Sequence, residues 1–263
     1  MKSKLSRILK FIKTHSTKHP IYVAIYAFLY PQKNYRSKAL FYSKSEIQEE
    51  IKKGRSIIRY GDGEINLFLS IDNHYQKFSK KLSSNLKRII KEYSVDSLYI
   101  LAVPKYITQS NKELQKTERK EIWMPFKVFY LLIFPKKPKY LDAHSFYYDG
   151  YFEEVIEPAI KDKELIILTN KGSIDSIKNN NKFLWKNISY IECPEKDAYD
   201  RMNEIEESLK NILKSKKNPV IIIALGPVGK CIAHTYSNKG YQCIDIGRGL
   251  ECIYTANSIQ GFI

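Results

Sequence analysis

The sequence predicts an α/β fold: a Rossmann-like, mostly parallel sheet with helices on both faces. Short apolar runs rich in Ile, Val and Leu recur along the chain, and amphipathic stretches of helical period lie between them. The chain has 263 residues, 43% of them hydrophobic, enough for a sizeable buried core. Strands covered on both faces read as continuous apolar runs, and the runs here are of that kind.

The first 45 residues stand apart. Lys2, Lys4, Arg7, Lys10, Lys13, Lys18, Lys33, Arg36, Lys38 and Lys44 all precede the first acidic residue, Glu46, while Leu5, Ile8, Leu9 and Ile12 recur at helical spacing. Residues 1–45 are therefore expected to form a basic amphipathic helical segment, with an aromatic run at Tyr22, Tyr26, Phe28 and Tyr30. Either it lies on an anionic membrane surface, lysines on headgroup phosphates, or it packs its apolar stripe on the body of the protein.

Residues 46–263 read as one domain, with no internal repeat and no Gly/Ser/Pro-rich linker. Ser43 and Glu46 form a capping box, Ile47 and Ile51 share a helical face, and Gly54 stops that helix. Strands are expected at 56–60, 98–103, 139–142, 164–169, 188–192, 219–225 and 241–246. Helices are expected at 79–93, at 111–134 with a break at Pro125, at 197–213 and at 228–238.

Composition limits the surroundings. With 44 Lys and Arg against 28 Asp and Glu the formal charge is +16, which attracts phosphates, anionic lipid or nucleic acid. Cys193, Cys231, Cys243 and Cys252 form no CxxC pair and have no His at zinc-finger spacing, which argues against a metal cage or a disulfide framework and for a reducing, cytoplasmic compartment. No stretch reaches the roughly 18–20 apolar residues of a membrane span, and a signal-peptide cleavage pattern is missing.

In such a fold ligands bind beyond the carboxyl ends of the strands, and three strand ends carry chemistry. The first is Arg59-Tyr60-Gly61-Asp62-Gly63-Glu64. Two carboxylates two residues apart on a glycine turn suit Mg²⁺ or Mn²⁺, hard ions that hold a diphosphate. The alternative is an ordinary turn with solvated acids, Glu64 capping the following helix and Arg59 in a surface pair. The second is Ala224-Leu225-Gly226-Pro227-Val228-Gly229-Lys230, where a strand runs into a helix whose first N–H groups, with Lys230, form an anion cradle. It is neither a Walker A loop nor GxGxxG, and a ligand-free strand-to-helix turn is the competing reading. The third is Asp245-Ile246-Gly247-Arg248-Gly249-Leu250-Glu251, where Asp245 is placed as a base or second metal contact and Arg248 as a phosphate contact. Asp142 and His144 make a further acid–imidazole pair, for which a structural role is the commoner one.

The turn RYGDGE, Cys193-Pro194-Glu195-Lys196-Asp197-Ala198-Tyr199 opening a helix, ALGPVGK, and Gly240-Tyr241-Gln242-Cys243-Ile244-Asp245-Ile246-Gly247, in this order, resemble the GT-D glycosyltransferase family over residues 57–247. The resemblance implies a metal-dependent enzyme that moves a sugar from a nucleotide-diphosphate donor, typically UDP-glucose or a similar UDP-hexose, to a glycan acceptor of a surface polysaccharide or glycoprotein. It puts the D-x-E metal motif on Asp62 and Glu64, with Mn²⁺ or Mg²⁺ as cofactor, and the Gly-Pro turn on Gly226 and Pro227. A P-x-x-N-A segment appears with Asp197 where Asn is usual. After the last strand the family tends to read DIGH followed by acids, where this chain has Arg248 and then Gly249-Leu250-Glu251-Cys252.

Joined to the residue reading, this gives a donor-binding set of Arg59, Gly61, Asp197, Gly226, Pro227, Gly229, Lys230 and Arg248, metal ligands Asp62 and Glu64, and Asp245 as first candidate for the base that activates the acceptor hydroxyl. The expected partners are a nucleotide-sugar donor and a glycan or lipid-linked glycan acceptor, with residues 1–45 on an anionic membrane surface, peripheral on its inner face. Two other classes compete. The altered segment around Arg248 is compatible with a catalytically silent nucleotide-sugar binder of the same fold, and the charge with a nucleic-acid binder. Nucleic acid is not expected, because the positive charge is spread along the chain and no recognised module is present.

Overall fold

Isoleucine-rich runs build the sheet. The computed structural model describes residues 34–117, 120–148, 150–179 and 187–255. Among them β1 (Ser56–Arg59), β2 (Tyr99–Val103), β3 (Leu141–Asp142), β4 (Leu165–Thr169), β5 (Ile188–Glu192), β6 (Val220–Ile223) and β7 (Gln242–Asp245) form one parallel sheet in the order β3-β2-β1-β7-β6-β4-β5. Every strand expected from the sequence is present, most of them shortened at one or both ends.

Ile57 lies opposite Ile244 across β1 and β7, and Ile222 lies opposite Ile244 and Ile167 on its two sides. All four are buried in one cluster that also takes Ile47 and Ile51 of the Lys44–Lys52 helix. Each such side chain contributes about 1.5–3 kcal/mol by leaving water. The alternate residues Ile58, Leu101, Ile221 and Ile223 point to the opposite face. There the Gly226–Ser237 helix packs on β1 and β7 and against the Lys80–Glu92 helix. Gly229 permits that approach, since a Cβ on it would sit 2.6 Å from Ile223 Cγ2.

The Ser43 capping box is formed, with the Ser43 N–H donating to Glu46 Oε2 at 2.9 Å and the Glu46 N–H to Ser43 Oγ at 3.3 Å. Gly54, at φ +88°, ends that helix in the left-handed region. The stretch expected as one helix at 197–213 is divided into a 3₁₀ turn, Ala198–Arg201, and a helix, Met202–Leu213.

Residues 34–39 and 105–136 form a second compact unit, a grouping that the periodicity does not announce. Its helices are Asn111–Leu114 and Lys120–Ile133, and Pro125 lies inside the second one. The expected break at Pro125 therefore falls earlier. Burial of Trp123, Met124, Phe126 and Tyr130 outweighs the roughly 3 kcal/mol that an internal proline costs. Lys127 of this helix is fully buried, its ammonium donating to Gln109 O at 2.7 Å, Asn111 Oδ1 at 2.8 Å and Tyr35 O at 2.9 Å.

Most of the basic amphipathic segment expected at the amino end, residues 1–33, lies outside the described residues. Among the described residues no helix is long and apolar enough to cross a membrane.

Candidate active site

β1, β7 and β6 are neighbours, so their carboxyl ends deliver three turns to one place. After β6 the chain turns through Gly226, at φ +53°, and enters a helix with Pro227 in its first turn, where a missing N–H costs nothing. One turn on, Lys230 folds back beneath this turn. Its ammonium donates to Gly226 O at 3.1 Å and pairs with Asp245 Oδ2 at 3.2 Å and Glu64 Oε1 at 3.3 Å. The ammonium thus has one carbonyl acceptor and two carboxylate partners, and the side chain is 3% exposed. Burial alone would lower the Lys230 pKa, but the carboxylates of Asp245 and Glu64 outweigh it and hold the group above the ordinary lysine value.

The two carboxylates of the first turn are divided. Asp62 opens the short Asp62–Phe68 helix and is exposed, whereas Glu64 is buried. Glu64 Oε2 accepts the Gly61 N–H at 2.7 Å while Oε1 faces Lys230, so Glu64 does the capping weighed for it and also acts as a counter-charge. Asp245, at the end of β7, has no exposed surface. Its Oδ2 accepts the Arg59 N–H at 3.1 Å besides pairing with Lys230, and its Oδ1 is buried without a hydrogen-bond partner. That environment fits the positioning of Lys230 and of the β1 end better than direct deprotonation of an acceptor hydroxyl.

Arg59 is not in a surface pair. Its Nε donates to Ala143 O at 2.9 Å, its Nη2 donates to the Tyr147 hydroxyl, and its guanidinium lies 4.8 Å from the Tyr147 ring centre. Gly247, at φ +51°, makes way for it, because a Cβ there would collide with Arg59 Nη1. Arg248 is partly exposed and forms a fork with Glu251, at 3.3 Å from Nε and 3.1 Å from Nη2. His144 is buried, with Nδ1 3.6 Å from Asp142 Oδ1 and its backbone N–H on the same oxygen at 3.1 Å.

Asp197 acts at one remove. It occupies the left-handed region at φ +52°, which Asp tolerates better than most side chains. Its N–H donates to Tyr75 O at 2.8 Å, and its Oδ1 accepts the Lys77 N–H at 2.7 Å. Gln76 reaches back, accepting the Tyr199 N–H at 3.0 Å. Asn73 ties the same loop to the first turn, donating to Gly63 O at 3.2 Å and accepting the Tyr75 and Gln76 N–H groups at 2.8 and 2.7 Å.

Arg59, Gly61, Glu64, Gly226, Lys230 and Asp245 are thus linked directly, while Asp197 joins through the loop and Gly229 serves helix-to-sheet packing. Sequence reasoning passed over Tyr147, which follows a strand of two residues, and the loop residues Asn73, Tyr75 and Gln76; a strand-end aromatic is the signal for Tyr147. Among the described residues no group of three or more His, Cys, Asp or Glu is gathered that could hold a metal ion. A divalent ion on a diphosphate needs only one or two protein carboxylates, and Asp62 is an exposed carboxylate at this strand end.

Comparison with known proteins identifies the family. The description "Glycosyltransferase GT-D fold" matches residues 57–251. A "Probable glycosyl transferase Gly" of Streptococcus gordonii is 24% identical over 211 residues, 75% of this chain and 30% of that protein. "Glycosyltransferase GlyD" of Streptococcus pneumoniae serotype 4 (strain ATCC BAA-334 / TIGR4) is 24% identical over 208 residues, 75% of this chain and 25% of its own length. The chain therefore spans less than a third of these curated relatives. Among solved structures, "A New Glycosyltransferase (DUF1792) from Streptococcus sanguinis" superposes with a TM-score of 0.70 at 24% identity, covering 84% of this chain and 87% of the other. The structure described as "The highly conserved domain of unknown function 1792 has a distinct glycosyltransferase fold" gives 0.69 at 23%, covering 84% and 83%. With three strand-end turns joined around Lys230 and a family match across most of its length, the chain belongs to the GT-D-fold glycosyltransferase family.

Proposed function

We propose that the protein transfers a hexose from a UDP-sugar to a glycan acceptor with the help of a divalent cation, Mn²⁺ or Mg²⁺. One observation carries the reading: the Asp62 turn, the Gly226 helix start and the Gly247–Arg248 turn stand at neighbouring strand ends, linked through the buried Glu64–Lys230–Asp245 cluster.

Departure of the nucleoside diphosphate builds negative charge, and each part of the site has a task in receiving it. The unpaired N–H groups at the start of the Gly226–Ser237 helix face that charge with the positive end of the helix dipole. Arg248 supplies a mobile cation that exchanges Glu251 for phosphate oxygens. Asp62 would hold the divalent ion, whose contribution when bound is Lewis-acid stabilisation of the leaving diphosphate. Lys230 does not clamp phosphate, because its ammonium is buried and paired with Glu64 and Asp245. It fixes the three turns relative to one another, so the receiving groups are in place before charge develops. The acceptor is a surface or lipid-linked glycan, and the basic segment 1–45 brings the enzyme to an anionic membrane.

The test is release of nucleoside diphosphate from a panel of nucleotide sugars with Mn²⁺, for wild type and Asp62→Asn. Release from a UDP-hexose that falls by two or more orders of magnitude in the variant is the expected result. Equal release by both proteins removes the metal role of Asp62, and no release from any donor removes the transfer reading.

A further inference from the structure

We propose that Tyr75 is the stacking platform for the base of the donor nucleotide, which makes it a nucleotide-binding residue of the site; the inference rests on the donor reading given above. Among the described residues Tyr60, Tyr93, Tyr99, Tyr140 and Tyr236 are buried, yet Tyr75 keeps 38% of its surface open. Its exposure is not that of a loose loop. The Asn73 carboxamide accepts its N–H, Asp197 donates to its carbonyl, and Asp72 accepts the Phe78 N–H at 2.7 Å, closing the loop on itself. His74 stands edge-on to the Tyr75 ring, 4.9 Å between centres. Two neighbouring turns, at Gly63 and at Asp197, thus fix the backbone from which one open aromatic ring projects.

That place is beside the phosphate-receiving turn. A Cβ built on Gly226 would lie 3.8 Å from Tyr75 Cβ, so the ring is rooted at the start of the Gly226–Ser237 helix. In a nucleoside diphosphate the base stands one ribose away from the phosphates. With the diphosphate on the helix start and Arg248, a rigid aromatic face next to that start meets the base. Stacking on an aromatic face is tolerant of base identity, so the platform would recognise a nucleotide as such and leave the choice of base to its polar edge.

Calorimetric titration with UDP and with inorganic pyrophosphate, both with Mn²⁺, tests this on wild type, Tyr75→Phe and Tyr75→Ala. The expected result is a loss of UDP affinity in Tyr75→Ala of roughly five- to a hundredfold. Tyr75→Phe should retain UDP affinity, and pyrophosphate affinity should be unchanged in all three, which also shows that the variants are folded. Equal UDP affinity in wild type and Tyr75→Ala overturns the inference, as does a matching loss of pyrophosphate affinity. If wild type binds pyrophosphate and gains nothing from UDP, the platform falls and the anion site stands. If it binds neither, the donor reading falls and takes the platform with it.

Discussion

Two lysines are buried among the described residues, one in each compact unit, and they are buried by opposite means. Lys230 sits between two carboxylates and a carbonyl, and its pKa stands above the ordinary lysine value. Lys127 is met by two carbonyls and a carboxamide, all neutral, and burial, aided by the nearby Arg36 cation and opposed by Glu113, pulls its pKa down to about 8. Lys127 donates three hydrogen bonds to neutral oxygens, whereas Lys230 donates one to a carbonyl and forms two ion pairs. What differs is the compensating charge. A fold that needs only to tie two segments together uses dipoles, as around Lys127. A fold that must bring two acidic turns to one point needs a cation between them, as around Lys230.

The largest effect that would break or sharpen this comparison is expected from Lys230→Met. It removes the ammonium that pairs with the buried Glu64 and Asp245 and should cost about 3–5 kcal/mol in urea unfolding. Lys127→Met leaves three neutral oxygens unmet and should cost about 1–3 kcal/mol. Equal losses for the two would contradict the distinction.

The pH dependence separates them by sign. For Lys127 the unfolded chain keeps a proton that the folded one has lost between its pKa of about 8 and the ordinary 10.5, so wild-type stability relative to Lys127→Met should rise across that interval. For Lys230 the folded chain holds its proton longer, so the stabilisation is complete below the ordinary value of 10.5 and should decline as the pH passes above it. Urea midpoints of wild type and both variants between pH 7.5 and pH 11, read as differences from wild type, check both slopes; parallel slopes would refute the account. The smallest effect on stability is expected from Asp62→Asn, within about 0.5 kcal/mol, because that carboxylate is exposed.

The sheet was legible because its strands are apolar runs such as Val220–Ile223, whose burial is a local property of the sequence. Turn positions were legible for the same reason: Gly61, Gly226 and Gly247 punctuate strand ends. The burial of Glu64 beside an exposed Asp62 was not, because it depends on Lys230, far along the chain and aimed by a different helix. The buried state of Asp245 depends likewise on Arg59 and Lys230 closing over it from two other elements. Pro125 misled for the converse reason, a local rule overridden by the packing of Trp123 and Phe126.

The claim at the centre of this account is that one acid of the Asp62–Glu64 pair serves the substrate and the other serves the frame. Calorimetric titration with UDP, with and without Mn²⁺, on wild type, Asp62→Asn and Glu64→Gln, alongside urea midpoints, tests it most directly. Asp62→Asn should lose the Mn²⁺-dependent gain in UDP affinity at unchanged stability, and Glu64→Gln should lose stability. An undiminished Mn²⁺ gain in Asp62→Asn would contradict it.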